Sequence, residues 1–578
     1  MRRSRMVALT GVAALAMATA GAATTAQARE SGVSSESSAR TSYAVLAEKG
    51  ADVGELASRL EKSGAKVVSV NEAIGMVTVS SEKSGFLASA RSVEGVDVAA
   101  REGVVGHAPR DAEPDRTVVE RLRGRGPASG HGEKGRKGTK AESDPLDSYL
   151  WGMDMIGAPA AHKVERGNKK VLVGVMDTGV DASHPDIAPN FDRKRSRNFT
   201  TDMEDVDGPC EEADCVDPAD VDQNGHGTHV AGTIAGALNG IGVSGVAPDV
   251  GIVNVRAGQD SGYFFLTPTV DALTYSGDVG IDVVNMSFYV DPWAYNCIGG
   301  APEDSPEEAA EQAVIIEAMN RALEYAHAKG VTLVAALGNG HDDLANPRND
   351  TSSPDYPGGT EHERTIDGQT CFDLPTEGPH VIGVSAVGPT KRKSYFSNYT
   401  TDLKSGEIEV SAPGGDYRDN YGTDEYATPG NLILSAAPLG VLQEAGDVDE
   451  NGDITEQGEG WVMKDCRTVR TRWHREGREE CGYYQYLQGT SMAAPHAAGV
   501  AALVVSAHGR SQGRSGFGLA PDRTASYLMR TATDTPCPET NPYVYPDRTD
   551  EYTAECVGNK RFNGFYGDGI VNALRAVR

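Results

Sequence analysis

Val171-Leu172-Val173-Gly174-Val175-Met176-Asp177-Thr178-Gly179-Val180-Asp181 is a short apolar run that ends on an acidic turn. A run of this length, apolar on both alternating sets and stopped by turn residues, predicts a strand buried on both faces. Comparable runs recur at Ile252–Val255, Val283–Met286, Val331–Ala335 and Val381–Val387, with helix-like segments such as Glu311–Lys329 between them. The alternation predicts an α/β domain: a doubly wound, mostly parallel sheet with helices on both faces. Open sheets of this kind gather their ligands outside the carboxyl ends of the strands. Asp177 stands at such an end.

Working outward toward the N-terminus, residues 42–101 read as a separate, smaller unit. Tyr43–Ala47, Val67–Val70, Met76–Val79 and Val96–Ala99 are strand-like. Val53, Leu56 and Leu60 recur at helical spacing before a stop at Gly64, and Phe86, Leu87 and Ala90 suggest a second helix. The order β-α-β-β-α-β is ferredoxin-like α+β. Residues 104–145 are rich in Gly, Arg, Lys, Glu and Ser, the composition of an exposed linker open to cleavage. The first 28 residues have the form of a signal peptide: basic Arg2, Arg3 and Arg5, a small-residue apolar stretch Val7–Ala20, and Ala26-Gln27-Ala28 before a cut. The segments expected are therefore 1–28, 29–103, 104–145 and 146–578. Polar or acidic stretches near 300–312, 341–379, 416–430 and 440–482 read as surface insertions.

The chain has 578 residues, a net charge of −29 and a pI near 4.9, which argues against a nucleic-acid partner. No apolar run downstream of the leader is long enough to predict a membrane span. Eight cysteines follow the leader with no Cys-x-x-Cys among them, so disulfides and an extracellular destination are expected rather than zinc. The sequence-local pairs Cys210–Cys215, Cys466–Cys481 and Cys537–Cys556 are the simplest of 105 connectivities.

Three segments carry chemistry. Asp177-Thr178-Gly179 alone is ambiguous, since aspartic proteases use the same tripeptide with a second carboxylate sharing a proton. Asp260-Ser261-Gly262 is the one available partner, but no apolar strand leads into it. Asn224-Gly225-His226-Gly227-Thr228-His229 places an imidazole at a helix entrance, where one ring nitrogen can face a carboxylate and the other a hydroxyl. His229 reads as a packed core residue. Gln488-Gly489-Thr490-Ser491-Met492-Ala493-Ala494-Pro495-His496 places Ser491 at a helix N-terminus, whose N–H groups suit an oxyanion. A Gly-x-Ser-x-Gly elbow is absent, because Ala493 stands where its last Gly belongs, which argues against an α/β-hydrolase esterase.

Taken in order, Asp-Thr-Gly, His-Gly-Thr-His-Val-Ala-Gly-Thr and Gly-Thr-Ser-Met-Ala-Ala-Pro-His resemble the subtilisin family of serine proteases over roughly residues 145–578. Gly245-Val246-Ala247-Pro248, Ser411-Ala412-Pro413-Gly414 and Tyr566-Gly567-Asp568-Gly569-Ile570-Val571-Asn572 support the alignment. The resemblance implies that Asp177 orients His226, that His226 is general base and acid, and that Ser491 is the nucleophile. It also implies that Asn339, in Gly338-Asn339-Gly340, donates to the oxyanion. The 29–103 unit is similar to the inhibitory propeptides of that family.

Further expectations follow from the resemblance. Polypeptide substrates would add a strand beside Asp260–Tyr263 and Asn285–Phe288, which makes Gly262, Ser287 and Phe288 substrate-binding candidates. Phe288-Tyr289-Val290 stand where family members commonly have glycines, which would narrow the first specificity pocket. No cofactor is expected for catalysis. Asp447, Asp449, Asn451 and Asp453 are spaced like a calcium loop, although Gly458 stands at its twelfth position instead of Glu. The expected protein is a secreted, monomeric serine endopeptidase restrained by its own propeptide. An aspartic-type enzyme and an inactive subtilisin-like binding scaffold are the alternatives.

Overall fold

A computed structural model describes residues 41–102, 143–356, 358–470, 477–511 and 517–578. The signal peptide expected at 1–28 and nearly all of the linker expected at 104–145 lie outside the described residues.

The first element group is β1 (Thr41–Ala47), α1 (Val53–Ser63), β2 (Lys66–Asn71), β3 (Met76–Ser81), α2 (Phe86–Arg91) and β4 (Val96–Arg101). The strands form an antiparallel sheet in the order β2-β3-β1-β4, the ferredoxin-like arrangement. The helix α1 starts where Asp52 accepts from the Glu55 N–H at 2.9 Å and stops at Gly64, which takes a left-handed φ of 105°.

The larger sheet is built from β5 (Leu172–Met176), β6 (Arg197–Asn198), β7 (Gly251–Arg256), β8 (Val283–Met286), β9 (Thr332–Ala336), β10 (Val381–Val387) and β11 (Val410–Pro413). These seven strands lie in the order β11-β10-β9-β8-β5-β7-β6, and every pair is parallel. Alternate residues feed two cores. Val173, Val175, Val283, Val334 and Ala336 face a core shared with α3 (His226–Ala235) and with the long helix Thr490–His508. Leu172, Met176, Val284, Met286, Leu333 and Ala335 face one shared with α4 (Leu266–Val279) and α5 (Pro306–Lys329). This two-sided burial is why the strands read as continuous apolar runs.

The ferredoxin-like unit packs on α4 and α5. Ala44, Leu46, Ile74, Met76 and Ala100 join the second core. Arg321 of α5 donates to the carbonyls of Ala47 and Ile74 and pairs with Asp97 at 2.7 Å. Asn71 reaches Asp271 and Thr274 on α4. Glu102 accepts from the Thr267 N–H at 2.7 Å, in the first turn of α4.

Two stretches expected as surface insertions are regular structure. The helix α5 begins at Pro306, five residues before the apolar pattern, because Ser305 and Glu308 form a reciprocal capping box. Residues 433–487 hold a three-stranded antiparallel sheet: β12 (Ile433–Ala436), β13 (Val462–Val469) and β14 (Arg478–Leu487). The disulfide Cys466–Cys481 joins a directly opposed pair of that hairpin. The other bonds are Cys210–Cys215, Cys537–Cys556 and Cys297–Cys371. The helix Thr490–His508, here α6, has the length and hydropathy to cross a membrane, yet 94% of its apolar window is buried inside the protein.

Candidate active site

Asp177 follows the last residue of β5 and is fully buried. His226 opens α3, and its Nδ1 lies 2.7 Å from Asp177 Oδ1. The approach depends on Gly227: a Cβ there would lie 2.1 Å from the Gly179 carbonyl oxygen and 3.0 Å from Asp177 Cβ. Only a residue without a side chain lets the helix settle against the turn that carries the carboxylate.

Asp222, which the motif reading passed over, organises the entrance to α3. Its Oδ1 accepts from Thr178 Oγ1 and from the Asn224 and Gly225 N–H groups; its Oδ2 accepts from the Thr228 N–H and Oγ1. The turn residues Asp222-Gln223-Asn224-Gly225 were the available signal.

Burial works against the charged form of His226. The charge and hydrogen bond of Asp177, with Asp222 adding, outweigh it and hold the imidazole above its ordinary value. Its Nε2 is buried and has no hydrogen-bond partner among the described residues. His229 behaves as the sequence predicts: it is fully buried, and its Nε2 lies 3.1 Å from the carbonyls of Ile433 and Gln485. Burial, reinforced by the neighbouring His226, lowers it to about 3.

Ser491 is the second residue of α6 and is buried. Gly489, at φ 151°, supplies the N-cap without a side-chain cap, so the first turn is not closed off by a capping group. Ser491 Oγ donates a long 3.4 Å bond to the Ser287 carbonyl, while Ser287 Oγ donates to the Ser491 carbonyl at 3.1 Å. Ser491 Oγ is thus turned toward β8's continuation rather than bonded to His226. Asn339 stands after β9 in the Gly338 turn, and its oxygen accepts from the Thr490 N–H and Oγ1 at 2.9 Å each. The structure therefore joins Asp177 to His226, and joins Ser491 to Ser287 and, through Thr490, to Asn339.

The other candidates divide. Gly262 occupies a turn at φ 95°, tied to α3 by Asn224, whose Nδ2 donates to the Asp260 carbonyl at 2.9 Å. Phe288 is packed away, stacked on Phe264 with ring centroids 4.1 Å apart. Asp260 is bound by Arg256 at 2.6 Å, so it is engaged with a guanidinium instead of sharing a proton with Asp177. In the acidic loop, Asp449 Oδ1 accepts from the Asn451 and Asp453 N–H groups and Asp453 lies 3.6 Å from Lys464 Nζ. Asp447 accepts from Gln457. Each of these carboxylates has its own protein partner.

The Subtilase family profile, Peptidase_S8, matches residues 168–569. An intracellular serine protease of Paenibacillus polymyxa is 31% identical over 312 residues, 53% of this chain and 76% of that protein. Subtilisin Savinase of Lederbergia lenta is 29% identical over 281 residues, 49% of this chain and 77% of that protein. Among solved structures, the epidermin leader peptide processing serine protease of Staphylococcus aureus superposes with a TM-score of 0.59 at 18% identity, covering 93% of this chain and 98% of that one. Fervidolysin of Fervidobacterium pennivorans, a keratinolytic enzyme related to subtilisin, gives 0.51 at 21%, covering 93% and 61%. These structures share the fold; the profile match, across most of the chain and over all three motifs, assigns the protein to the subtilase family of serine endopeptidases.

Proposed function

We propose that the chain hydrolyses peptide bonds through Asp177, His226 and Ser491, and that it is exported and released from its own N-terminal unit by cleavage. The observation that carries the catalytic reading is the buried Asp177–His226 pair, whose outer nitrogen Nε2 has no partner among the described residues. An imidazole held at Nδ1 by a carboxylate keeps Nε2 as the basic atom. Ser491 Oγ passes its proton to Nε2 and bonds to the substrate carbonyl carbon. The negative oxygen that results is stabilised by the Asn339 amide and by N–H groups at the start of α6. His226 then protonates the departing amine, an acyl-enzyme remains on Ser491, and water attacks it by the same route in reverse.

Four disulfides support an oxidising, extracellular destination. The contact of Glu102 with the first turn of α4 supports restraint by the N-terminal unit. That contact lies four residues beyond Tyr263, so the chain leaving β4 starts next to the segment where substrate is expected to pair.

Full-length protein carrying Ser491→Ala, made in a host deficient in related proteases, tests maturation. The wild-type chain is expected to shorten by the N-terminal unit and the variant to stay whole. Equal shortening of both would overturn self-processing.

A further inference from the structure

Behind the turn that carries Asn339 lies a buried carboxylate that the proton transfers do not use. Asp373 is 8% exposed, and its Oδ1 is buried without a hydrogen-bond partner among the described residues. Its Oδ2 comes so close to Gly338 that a Cβ there would lie 3.2 Å from it. Gly338 takes a left-handed φ of 99°, so the turn is glycine both for its backbone and for the approach of this carboxylate.

Two hydrogen bonds set Asp373 between the segments that flank Ser491. The Val290 N–H donates to the carbonyl of Leu374 at 2.9 Å. That bond ties the continuation of β8, where Ser287 meets Ser491, to the residue after Asp373. Thr376 Oγ1 donates to the carbonyl of Ala336, the last residue of β9, at 2.7 Å. The neighbouring acids are engaged. Asp342 is matched by Arg348 at 2.7 Å and by the Tyr295 hydroxyl at 3.1 Å, and Glu377 accepts from the Asp373 N–H at 2.6 Å. No cation among the described residues faces Asp373; burial, with Asp342 adding, pushes its carboxyl up to about 8. A buried carboxyl of this kind is costly to ionise alone, and a cation that arrives beside it removes that cost.

The reacting atoms name the cation. A carbonyl attacked by Ser491 turns its oxygen to the Asn339 amide, so the residue that owns it starts beside the Gly338–Asn339 turn. We infer that Asp373 forms the floor of the pocket for that residue's side chain, and that the enzyme cuts after Lys or Arg. The inference rests on hydrolysis at Ser491. An ammonium or a guanidinium gives Asp373 a charge-assisted hydrogen bond. An apolar side chain leaves Oδ1 buried and unpaired, and an acidic one meets like charge from Asp373, Asp342 and Glu377. Both are disfavoured by desolvation or repulsion at the position where binding also sets the rate.

The test is a series of peptides that differ only in the residue before the scissile bond: Arg, Lys, Gln, Leu, Phe or Glu. For the purified enzyme, kcat/KM on the Arg or Lys peptide is expected to exceed that on the Gln or Leu peptide at least about 30-fold, within the range of a charge-assisted hydrogen bond. In Asp373→Asn, which keeps the shape and removes the charge, the ratio is expected to fall below about threefold. Benzamidine, a small amidinium cation, is expected to inhibit the wild-type enzyme competitively, a readout that needs no variant. Preference of the wild type for Leu or Phe with indifference to benzamidine would overturn the assignment and leave hydrolysis at Ser491 standing. So would an Asp373→Asn enzyme that keeps the wild-type ratio. Failure to cut any peptide of the series would overturn both.

Discussion

The side-chain oxygen of Asn339 accepts two hydrogen bonds from Thr490, one from its N–H and one from its Oγ1, at 2.9 Å each. Thr490 Oγ1 in turn accepts from the Gly338 N–H at 3.1 Å. The turn after β9 and the first turn of α6 are thereby fastened together one residue before Ser491, with the Asn339 amide fixed in one orientation. Thr490→Val removes the Oγ1 bonds and keeps the shape. It is expected to lower kcat about 5- to 150-fold, the equivalent of about 0.5–1.5 kcal/mol for each of the two hydrogen bonds lost, with KM nearly unchanged. Asn339→Ala is expected to cost about 10²–10³-fold in kcat, a magnitude that belongs to the corresponding donor of subtilisin and was not obtained from this chain. Steady-state kinetics on one peptide substrate checks both.

The pH profile follows from His226. Its imidazolium is stabilised by Asp177 above the ordinary value of about 6.5. The pair contributes stability below the ordinary histidine value and loses it as the pH rises through the raised one. Neutral imidazole, the form that accepts the serine proton, appears over the same interval. kcat/KM is expected to rise in a single step centred above about 6.5. In Asp177→Asn the step should move down, and the rate should fall about 10⁴-fold, by analogy with triad enzymes.

Gly227→Ala tests the seating of α3. A methyl group placed 2.1 Å from the Gly179 carbonyl cannot be absorbed by a flexible neighbour, because the obstacle is backbone. The helix must back away from Asp177. Activity is expected to fall at least about 10²-fold, the cost attached to a displacement near 1 Å. Thermal unfolding of the purified variant should show lower stability as well.

Arg364 holds the segment between β9 and β10 to the rest of the domain. It is fully buried, paired with Asp304 at 2.9 Å and Asp350 at 2.8 Å, bonded to Gln312, and stacked over Trp293. Arg364→Met leaves two buried carboxylates without their cation. Denaturant unfolding is expected to register a loss of about 3–5 kcal/mol.

The central strands were legible because burial on both faces writes an unbroken apolar run, and Val283–Met286 and Val381–Val387 match to the residue. The pairing of Asp177 with His226 was legible because each stands at the end of an element that the pattern marks. The β13–β14 hairpin was not, since Lys464, Asp465, Arg467, Glu479 and Glu480 give it the composition of a surface loop. Its order comes from pairing with β12 and from a disulfide, which are tertiary. The start of α5 was hidden because its first turn is held by the capping of Ser305 and Glu308 and not by apolar spacing. The stacking of Phe288 on Phe264 was hidden because nothing in its own segment announces the ring it meets. Thr490 and Asp222 escaped notice for the same reason: their roles are hydrogen bonds to distant turns.

The most direct test is covalent. A sulfonyl fluoride reagent, incubated with active enzyme and followed by peptide mass mapping, reports which side chain is nucleophilic. Activity is expected to fall in proportion to modification at Ser491, with no modification in Ser491→Ala. Inactivation that maps to another residue, or hydrolysis that persists at the wild-type rate in Ser491→Ala, would contradict it.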